Sequence, residues 1–177
     1  MTVGDDAALA IARFFRARLH GILVDHGVPT QDADAALEQR FDDPIDALAR
    51  ARAIARIPRE AREVFKRVAN ILDDARKKSI IPGAAPDPAR FVHATETSLH
   101  AAVAAARDRE APLRDNGDYA ALFDSLVALQ PTVAAFFDKG GVMVMDPDPA
   151  LRDNRLALLH WLVAPYMAIA DFRKLGT

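Results

Sequence analysis

Few residues in this chain have the types and spacing that a catalytic or metal-binding site requires. His93, Glu96 and His100 lie three and four positions apart, so a helix would place all three on one face, where a metal ion for hydrolysis could bind. A zinc site needs further ligands, or an open position with supporting hydrogen bonds, and the pattern offers none. A solvated helical face is therefore the favoured interpretation, and a metal-dependent hydrolase is the less favoured one.

Other catalytic motifs are absent from the sequence. No glycine-rich loop between a strand and a helix is present to hold phosphates, and no serine, histidine and acid form an activating local motif. The chain contains no cysteine, which excludes a disulfide framework, a thiolate metal site and a thiol nucleophile. We therefore predict no catalytic residue, no metal site and no cofactor.

Basic residues gather on one predicted helix, the basic helix 59–78. Its polar side carries Arg59, Arg62, Lys66, Arg67, Asn70, Arg76, Lys77 and Lys78. Arg62, Lys66 and Asn70 are spaced four apart, so they line one edge of the helix and could follow a phosphate backbone. The alternative is a solvated face in which the bases pair with acids of the same helix, Glu60, Glu63, Asp73 and Asp74. Spacing by itself favours the solvated face.

A second polar cluster stands at the start of the last predicted helix and comprises Arg152, Asn154 and Arg155. Cations in the first turns oppose the helix dipole, so a local purpose must offset their cost. That purpose is either RNA binding or an ion pair to Asp138 or Asp146 that holds the preceding loop. We favour the structural role for Asn154 and Arg155 and keep Arg152 as a candidate RNA contact.

Helical periods and capping residues indicate which elements position these side chains. Asp5 or Asp6 is placed to cap a first helix that stops at Gly27, and a second, short helix follows Thr30. In the basic helix, apolar residues recur at three- and four-residue steps and form a stripe for a core: Ala61, Val64, Phe65, Val68, Ile71, Leu72 and Ala75. Aromatic residues in such stripes are interpreted as core rather than as stacking platforms, namely Phe14, Phe15, Trp161 and Tyr166.

Three Asp-Pro steps, at 43–44, 87–88 and 148–149, mark the starts of further helices. Each offers an aspartate as N-cap and a proline at the first helical position. Between the second and third of these helices, the pattern predicts two shorter ones, 118–129 and 131–137. The only strand-like piece of the sequence is "VMVMD".

Length and helical content together define the predicted fold class. The chain has 177 residues, about half of them apolar, so it can bury a core as one domain. We predict an all-α fold, a single-domain helical bundle with one long C-terminal helix that Pro165 kinks. Its amino-terminal helices occupy 1–80 and include the basic helix, and its carboxy-terminal helices occupy 87–177.

Composition limits the partners and the compartment. A net charge of −2 gives no overall attraction to nucleic acid, so a polyanion site must come from a local cluster of Lys and Arg. Residues 1–6 are too short and acidic for a secretory signal, and no apolar run approaches the ~20 residues that span a bilayer. We expect a soluble, cytoplasmic protein.

Several blocks of sequence, matched in order and spacing, carry a family resemblance. They are "KRVANIL" from Lys66 to Leu72, then "FFD", "VMVMD", "ALRDNRLALL" and "IADFRKL". Together they resemble the carboxy-terminal part of the bacterial glycyl-tRNA synthetase beta subunit, which holds an anticodon-binding domain of the DALR type. The resemblance runs from about Arg13 to Leu175. Two departures are a turn, "KGG", that is longer than usual after "FFD", and an Arg in "ADFRKL" where Ser is commoner.

The resemblance implies a binding role in a larger enzyme. That enzyme joins glycine to its tRNA with ATP, and its catalytic centre belongs to the alpha subunit, so this chain alone is expected to be non-catalytic. The implied partners are glycine tRNA, through its anticodon stem-loop, the rest of the beta subunit and the alpha subunit, with no membrane and no DNA. The predicted tRNA-binding residues are Arg59, Arg62, Lys66, Arg67, Asn70 and Arg152.

Glycine anticodons end in two cytosines, which are the natural bases for such a domain to read. A cytosine amino group needs an acidic or carbonyl acceptor, so an exposed Asp or Glu beside the basic row would fit. The alternative function is a helical protein-interaction module that docks on other parts of the synthetase, or on another protein, without contacting RNA.

Overall fold

A computed structural model describes residues 3–138 and 141–176 of the chain. Over these residues the fold is all helical and contains no strand, which confirms the predicted fold class. Two single-turn 3-10 helices, Pro88–Arg90 and Phe172–Lys174, accompany the α-helices. The α-helices are α1 (Val3–Asp25), α2 (Thr30–Leu37), α3 (Pro44–Ala55), α4 (Arg59–Lys77), α5 (Ala94–Asp115), α6 (Tyr119–Phe137) and α7 (Pro149–Met167).

Two of the three Asp-Pro steps start helices as predicted. The Asp43 carboxylate accepts hydrogen bonds from the N–H groups of Ile45 and Asp46 at 2.9 and 3.1 Å, and Pro44 occupies the first position of α3. Asp148 caps α7 in the same way. These carboxylates satisfy backbone donors that the first helical turn leaves free.

The predicted starts of two other helices are wrong. Helix α1 begins at Val3, so Asp5 and Asp6 lie inside its first turn and are not N-caps. The step at Asp87 and Pro88 supports only one 3-10 turn, and α5 begins at Ala94. A local capping contact sets this later start, because the buried carboxylate of the α5 residue Glu96 accepts from the N–H groups of Val92 and His93 at 2.8 Å each.

Pro131 does not break the chain into two helices, which corrects the predicted boundary there. Helix α6 continues through it because Leu129, Val133 and Phe136 keep one buried face across the proline. The strand-like segment 142–145 is irregular, although its side chains alternate between buried valines and exposed methionines. Of the unusual "KGG" turn, Lys139 and Gly140 lie outside the described residues.

One apolar core joins the two predicted groups of helices. Helix α6 packs on α3, α4 and α5, and α7 packs on α4 and α5. The segment after α7 returns to α2 and α4, where the fully buried ring of Phe172 contacts those of Phe65 and Phe123, with centroids 6.4 and 6.1 Å apart. The C-terminal segment thus closes the core between elements far apart in sequence.

Helix α6 also corrects the expectation that no apolar run approaches membrane-spanning length. Its 19 residues carry one charged side chain, Asp124, and by length and composition alone it could cross a bilayer. One face of α6 is buried against α3, α4 and α5, which is typical of a core helix.

Candidate nucleic-acid interface

Helix α4 positions most of the candidate RNA-binding residues. Its inner face consists of Ala61, Phe65, Val68, Ala69, Leu72 and Ala75, all buried. Because this stripe faces the core, the polar residues between its members lie on the flanks and on the outer face of the helix. The structure divides the predicted row into residues with partners inside the chain and residues that face solvent.

Arg62 is held inside the chain. Its guanidinium pairs with both oxygens of Asp32 at 2.6 and 3.0 Å, and Asp32 is only 1% exposed. It also donates to the backbone oxygens of Ile57 at 2.8 Å and Ile54 at 2.7 Å, so each of its three nitrogens has a partner. This geometry makes Arg62 a link between α2 and the α3–α4 corner, and a phosphate contact would break it.

Lys66 is also committed to an internal contact. Its Nζ donates to the backbone oxygen of Leu175 at 2.8 Å, which ties α4 to the C-terminal segment. Arg62, Lys66 and Asn70 are spaced four apart on α4 as predicted. Only Asn70 among the three is exposed.

Arg67 and Asn70 form the exposed centre of the row. The Arg67 guanidinium carbon lies 4.3 Å from the centroid of the Phe137 ring, and that ring packs edge-on against Phe136. A guanidinium stacked on an aromatic face keeps the N–H donors at its rim available for phosphate. Asp138, exposed at the end of α6, supplies a carboxylate next to Phe137. We name this group, Arg67, Asn70, Phe137 and Asp138, the Arg67 surface.

The two remaining candidates each have an acidic neighbour. Arg59 is exposed and pairs with Glu63 one turn along α4, with 3.1 Å between Nε and Oε1. Arg152, at the start of α7, pairs with the adjacent Asp153 at 2.8 Å. Arg59 is exposed and Arg152 is part-exposed, and single ion pairs near the surface are weak, so both arginines retain donors for another partner.

The structural role predicted for Arg155 and Asn154 is confirmed. Arg155 is buried and pairs with Glu96 at 2.9 Å and with Asp146 at 2.7 Å, and it also donates to the Met143 oxygen. Burial opposes the charge of this guanidinium, but the two carboxylates outweigh it and raise the pKa of Arg155. Asn154 exchanges two hydrogen bonds with the backbone of Asp87, at 2.7 and 3.0 Å.

Two of the three residues considered for a metal site have other side-chain partners. Both Glu96 oxygens are occupied, one by Arg155 and the other by the two N–H groups at the start of α5. The His100 ring lies between the rings of Phe91 and Trp161, with centroids 5.5 and 5.0 Å away. Within residues 3–138 and 141–176, no group of three or more His, Asp or Glu side chains is arranged to hold a metal ion.

Comparison with known proteins gives the family context of this surface. No protein-family model matches the chain. It is 40% identical over 168 residues to the glycine–tRNA ligase beta subunit of Thiobacillus denitrificans, which covers 92% of this chain and 23% of that protein. The beta subunits of Ralstonia nicotianae and Nitratidesulfovibrio vulgaris are each 39% identical over 172 and 180 residues, or 94% and 97% of this chain.

This chain is homologous to part of the glycine–tRNA ligase beta subunit. The matches confirm the resemblance at the level of that subunit, and the chain spans about a quarter of the length of the beta subunits it matches.

Sequence reasoning missed Phe137 as a surface residue of this beta-subunit homologue. The residue follows an apolar helical period, which indicates core, and it is indeed half-buried. Its contact with Arg67 joins α6 to α4 across 70 positions, and a local period carries no signal for such a pair.

Proposed function

We propose that this chain is the part of a glycine–tRNA ligase beta subunit that binds the anticodon region of glycine tRNA, without catalysis of its own. The observation that carries the proposal is the similarity of more than nine tenths of the chain to such subunits. The ordered sequence blocks narrow it to the carboxy-terminal, DALR-type domain, which would span 1–177. The rest of the beta subunit and the alpha subunit would be its protein partners in the cytoplasm.

The Arg67 surface is the contact region that we propose for the RNA. Unstacked loop bases are read by stacking on aromatic rings or guanidinium planes and by hydrogen bonds to their edges. The Arg67 guanidinium carbon lies over the Phe137 ring and the side chain is exposed, so a base could stack on the pair. The exposed carboxylate of Asp138 is the acceptor that a cytosine amino group requires, and the amide of Asn70 supplies a further donor and acceptor.

The other predicted residues fall into two supporting groups. Arg59 and Arg152 would make peripheral phosphate contacts by exchanging a weak surface ion pair for a phosphate. Arg62 and Lys66 would act indirectly, because their contacts with Asp32 and Leu175 hold α4 in place.

Direct binding to an anticodon stem-loop of glycine tRNA tests the proposal. We expect the chain to bind this stem-loop more tightly than one whose two anticodon cytosines are replaced. Arg67→Ala should weaken binding and flatten the slope of log K against log salt by about 0.7, the amount lost with one phosphate contact to a single strand. Asn70→Ala should reduce discrimination between the two stem-loops and leave the salt slope unchanged.

Arg109→Ala is the matched control, because it removes an exposed arginine from a different helix, α5. Its affinity and salt slope should equal those of the unsubstituted chain. Binding that is indifferent to Arg67 and to both cytosines would make the row a solvated face. The protein-interaction module would then become the better assignment.

A further inference from the structure

Helix α1 exposes large apolar side chains that a folded chain normally covers. Phe14 and Phe15 are 67% and 61% exposed, so the prediction that they belong to the core is wrong. Three further residues of α1, Leu9, Ile11 and Ile22, are exposed as well. Across from them, at the start of α3, Ile45 is 82% exposed.

The exposure arises because α1 has two apolar faces. Leu19 and Leu23 form one face, which is buried against α2 and α3. Ile11, Phe15 and Ile22 recur at helical spacing on a second face, and no element among the described residues covers it. A polar flank completes the helix, where Arg16 pairs with Glu38 of the α2 C-cap at 3.1 Å. Only part of α1 therefore serves the core.

The second face opens into a groove of about 420 Å³ between α1 and α3. Its walls are almost entirely apolar, with Arg18 and His26 as polar lining residues. The main lining side chains are Phe15, Leu19, Ile22, Phe41, Ile45 and Leu48. We name the groove and the exposed apolar residues around it the α1–α3 surface.

The exposed side chains of the α1–α3 surface suit a protein segment. Three side chains that line the groove, Phe15, Ile22 and Ile45, are 61%, 42% and 82% exposed. Ile11 lies one helical turn before Phe15 and extends the same face of α1. Exposed apolar patches of this kind mark sites where another protein segment binds.

We propose that the α1–α3 surface docks a hydrophobic segment from the remaining three quarters or so of a glycine–tRNA ligase beta subunit. The inference rests on the proposed function only in treating this chain as part of such a subunit. The matched beta subunits are about four times as long as the aligned region, so another part of the same chain is available as the partner. Covalent connection gives that partner an effective concentration near millimolar, so an apolar groove is sufficient to hold it.

The RNA surface and the docking surface use different elements. The Arg67 surface lies on α4 and at the end of α6, whereas the α1–α3 surface involves the open face of α1 and the start of α3. Substitutions in one should therefore leave the other unaffected.

Hydrogen exchange in a full-length protein tests the docking. The matched region of the Thiobacillus denitrificans beta subunit is replaced by this chain, and backbone exchange is compared with that of the chain alone. We expect exchange in α1 and at the start of α3 to slow by about tenfold or more in the full-length protein, because docking must open before these amides exchange. Exchange at Ile81, which is 85% exposed and lies outside this surface, should be equal in both.

A double substitution, Phe15→Ser with Ile45→Ser, should return α1 to the exchange rate of the isolated chain. Ile81→Ser, at a residue 85% exposed and outside this surface, is the matched control and should change nothing. The double variant of the isolated chain should keep its stem-loop affinity. A variant that loses docking but still binds the stem-loop, or that docks but no longer binds the stem-loop, shows that the two proposals can fail separately.

Two results would overturn the docking proposal. One is equal exchange of α1 in the isolated chain and in the full-length protein. The other is a dimer of the isolated chain in analytical ultracentrifugation that Phe15→Glu dissociates, because a second copy would then be the occupant. If the chimera does not fold, the natural T. denitrificans subunit provides the measurement: its segment aligned with α1 should be as protected as its segment aligned with α6, and a freely exchanging segment counts against docking.

Discussion

Buried arginines connect distant parts of this molecule at the scale of single residues. Arg50 is fully buried, pairs with Asp46 at 2.7 Å and donates to the backbone oxygens of Ala36, Arg40 and Ile169. Arg62 and Arg155 likewise combine carboxylate and backbone acceptors. An arginine can satisfy several acceptors with one rigid group, which suits it to such junctions. These side chains belong to the fold and not to the RNA surface.

Arg155→Ala should lower the free energy of unfolding by about 3–5 kcal/mol. The substitution leaves Glu96, which is 1% exposed, without its cation, and an uncompensated buried charge is costly. Urea denaturation at neutral pH measures the change. Arg152→Ala, which removes a part-exposed pair with a neighbouring residue, should cost no more than about 1 kcal/mol. Similar losses in the two variants would contradict the structural role of Arg155.

Glu96 should also make the fold sensitive to acid. Burial alone would raise its pKa, but the His93 N–H, Arg155 and the Val92 N–H outweigh burial and hold the pKa below its usual value. A carboxyl with a lowered pKa contributes stability above its unfolded pKa, about 4.3, and the contribution is lost as pH falls through the lower, folded value. The urea concentration at the unfolding midpoint should therefore decrease as the pH is lowered from 7 to 3, with the decrease beginning near the unfolded pKa. The urea midpoint of Glu96→Gln should decrease less steeply with falling pH. If its dependence on pH matches that of the unsubstituted chain, Glu96 is not the cause of the acid sensitivity.

At the scale of elements, three helices end in the same way. After α1, α4 and α5, the chain turns through a residue with positive φ, namely Gly27, Ser79 and Gly117. In α4 the Ile80 N–H bonds to the Ala75 oxygen and the Ser79 N–H to the Arg76 oxygen, both at 2.9 Å. This is the Schellman pattern, which favours glycine because other residues are strained there. Ser79 occupies that position at a cost.

Ser79→Gly should therefore stabilise the protein by about 1 kcal/mol, the strain that an L-residue bears in the left-handed region. The reciprocal change, Gly27→Ser, should destabilise by a similar amount. An added Cβ at Gly27 meets no atom within 4 Å, so its cost is conformational rather than steric. Thermal melting of both variants checks the pair. A loss of stability in Ser79→Gly would show that the hydroxyl has a role that this geometry does not provide.

Capping residues in the sequence predicted helix boundaries correctly where interactions between neighbouring residues determine them. Asp43 and Asp148 cap helices because a carboxylate before a helical proline has its backbone partners within three residues. The same signal failed at Asp87, because Glu96 caps the backbone of Val92 and His93 instead. The pair between Glu96 and Arg155, 59 residues apart, holds that carboxylate in place, and the local signal does not report it. It failed at Pro131 because burial of the face through Val133 outweighs one lost hydrogen bond.

The candidate interface was predictable only in part, for a similar reason. The helical period identified the polar side of α4 correctly, and Arg67 and Asn70 are exposed on it. It could not show that Arg62 reaches Asp32, 30 positions away, or that Lys66 reaches Leu175. Long side chains can contact residues that are distant in sequence, and the spacing of residues along one helix does not predict those contacts.

For the whole molecule, the segment after α7 is the closing element. The Asp171 N–H donates to the Ala35 oxygen at 2.9 Å, which fastens the segment to α2. The Arg173 guanidinium bridges Asp171 and Asp73, the latter on α4, and Leu175 is 1% exposed. The predicted groups 1–80 and 87–177 therefore share one core, so we expect them to unfold together.

Phe172→Ala should lower the free energy of unfolding of the whole chain by about 3–5 kcal/mol, because it removes a fully buried ring and leaves a cavity. Phe14→Ala makes the same change at an exposed position and should stay within about 0.5 kcal/mol. Urea denaturation followed by circular dichroism and by tryptophan fluorescence should give one coincident transition for both variants. Two separate transitions would mean that the halves fold independently.

The returning segment also governs how this fold forms on the ribosome. The contact between Lys66 and Leu175 can form only after Leu175, 109 residues later in the chain, has been synthesised. At ordinary rates of translation this delay is roughly 5–20 s. During that time the apolar faces of α2 and α4 that the segment later covers are open to other proteins in the cell. We therefore expect the nascent chain to bind chaperones until Phe172 leaves the exit tunnel and reaches Phe65.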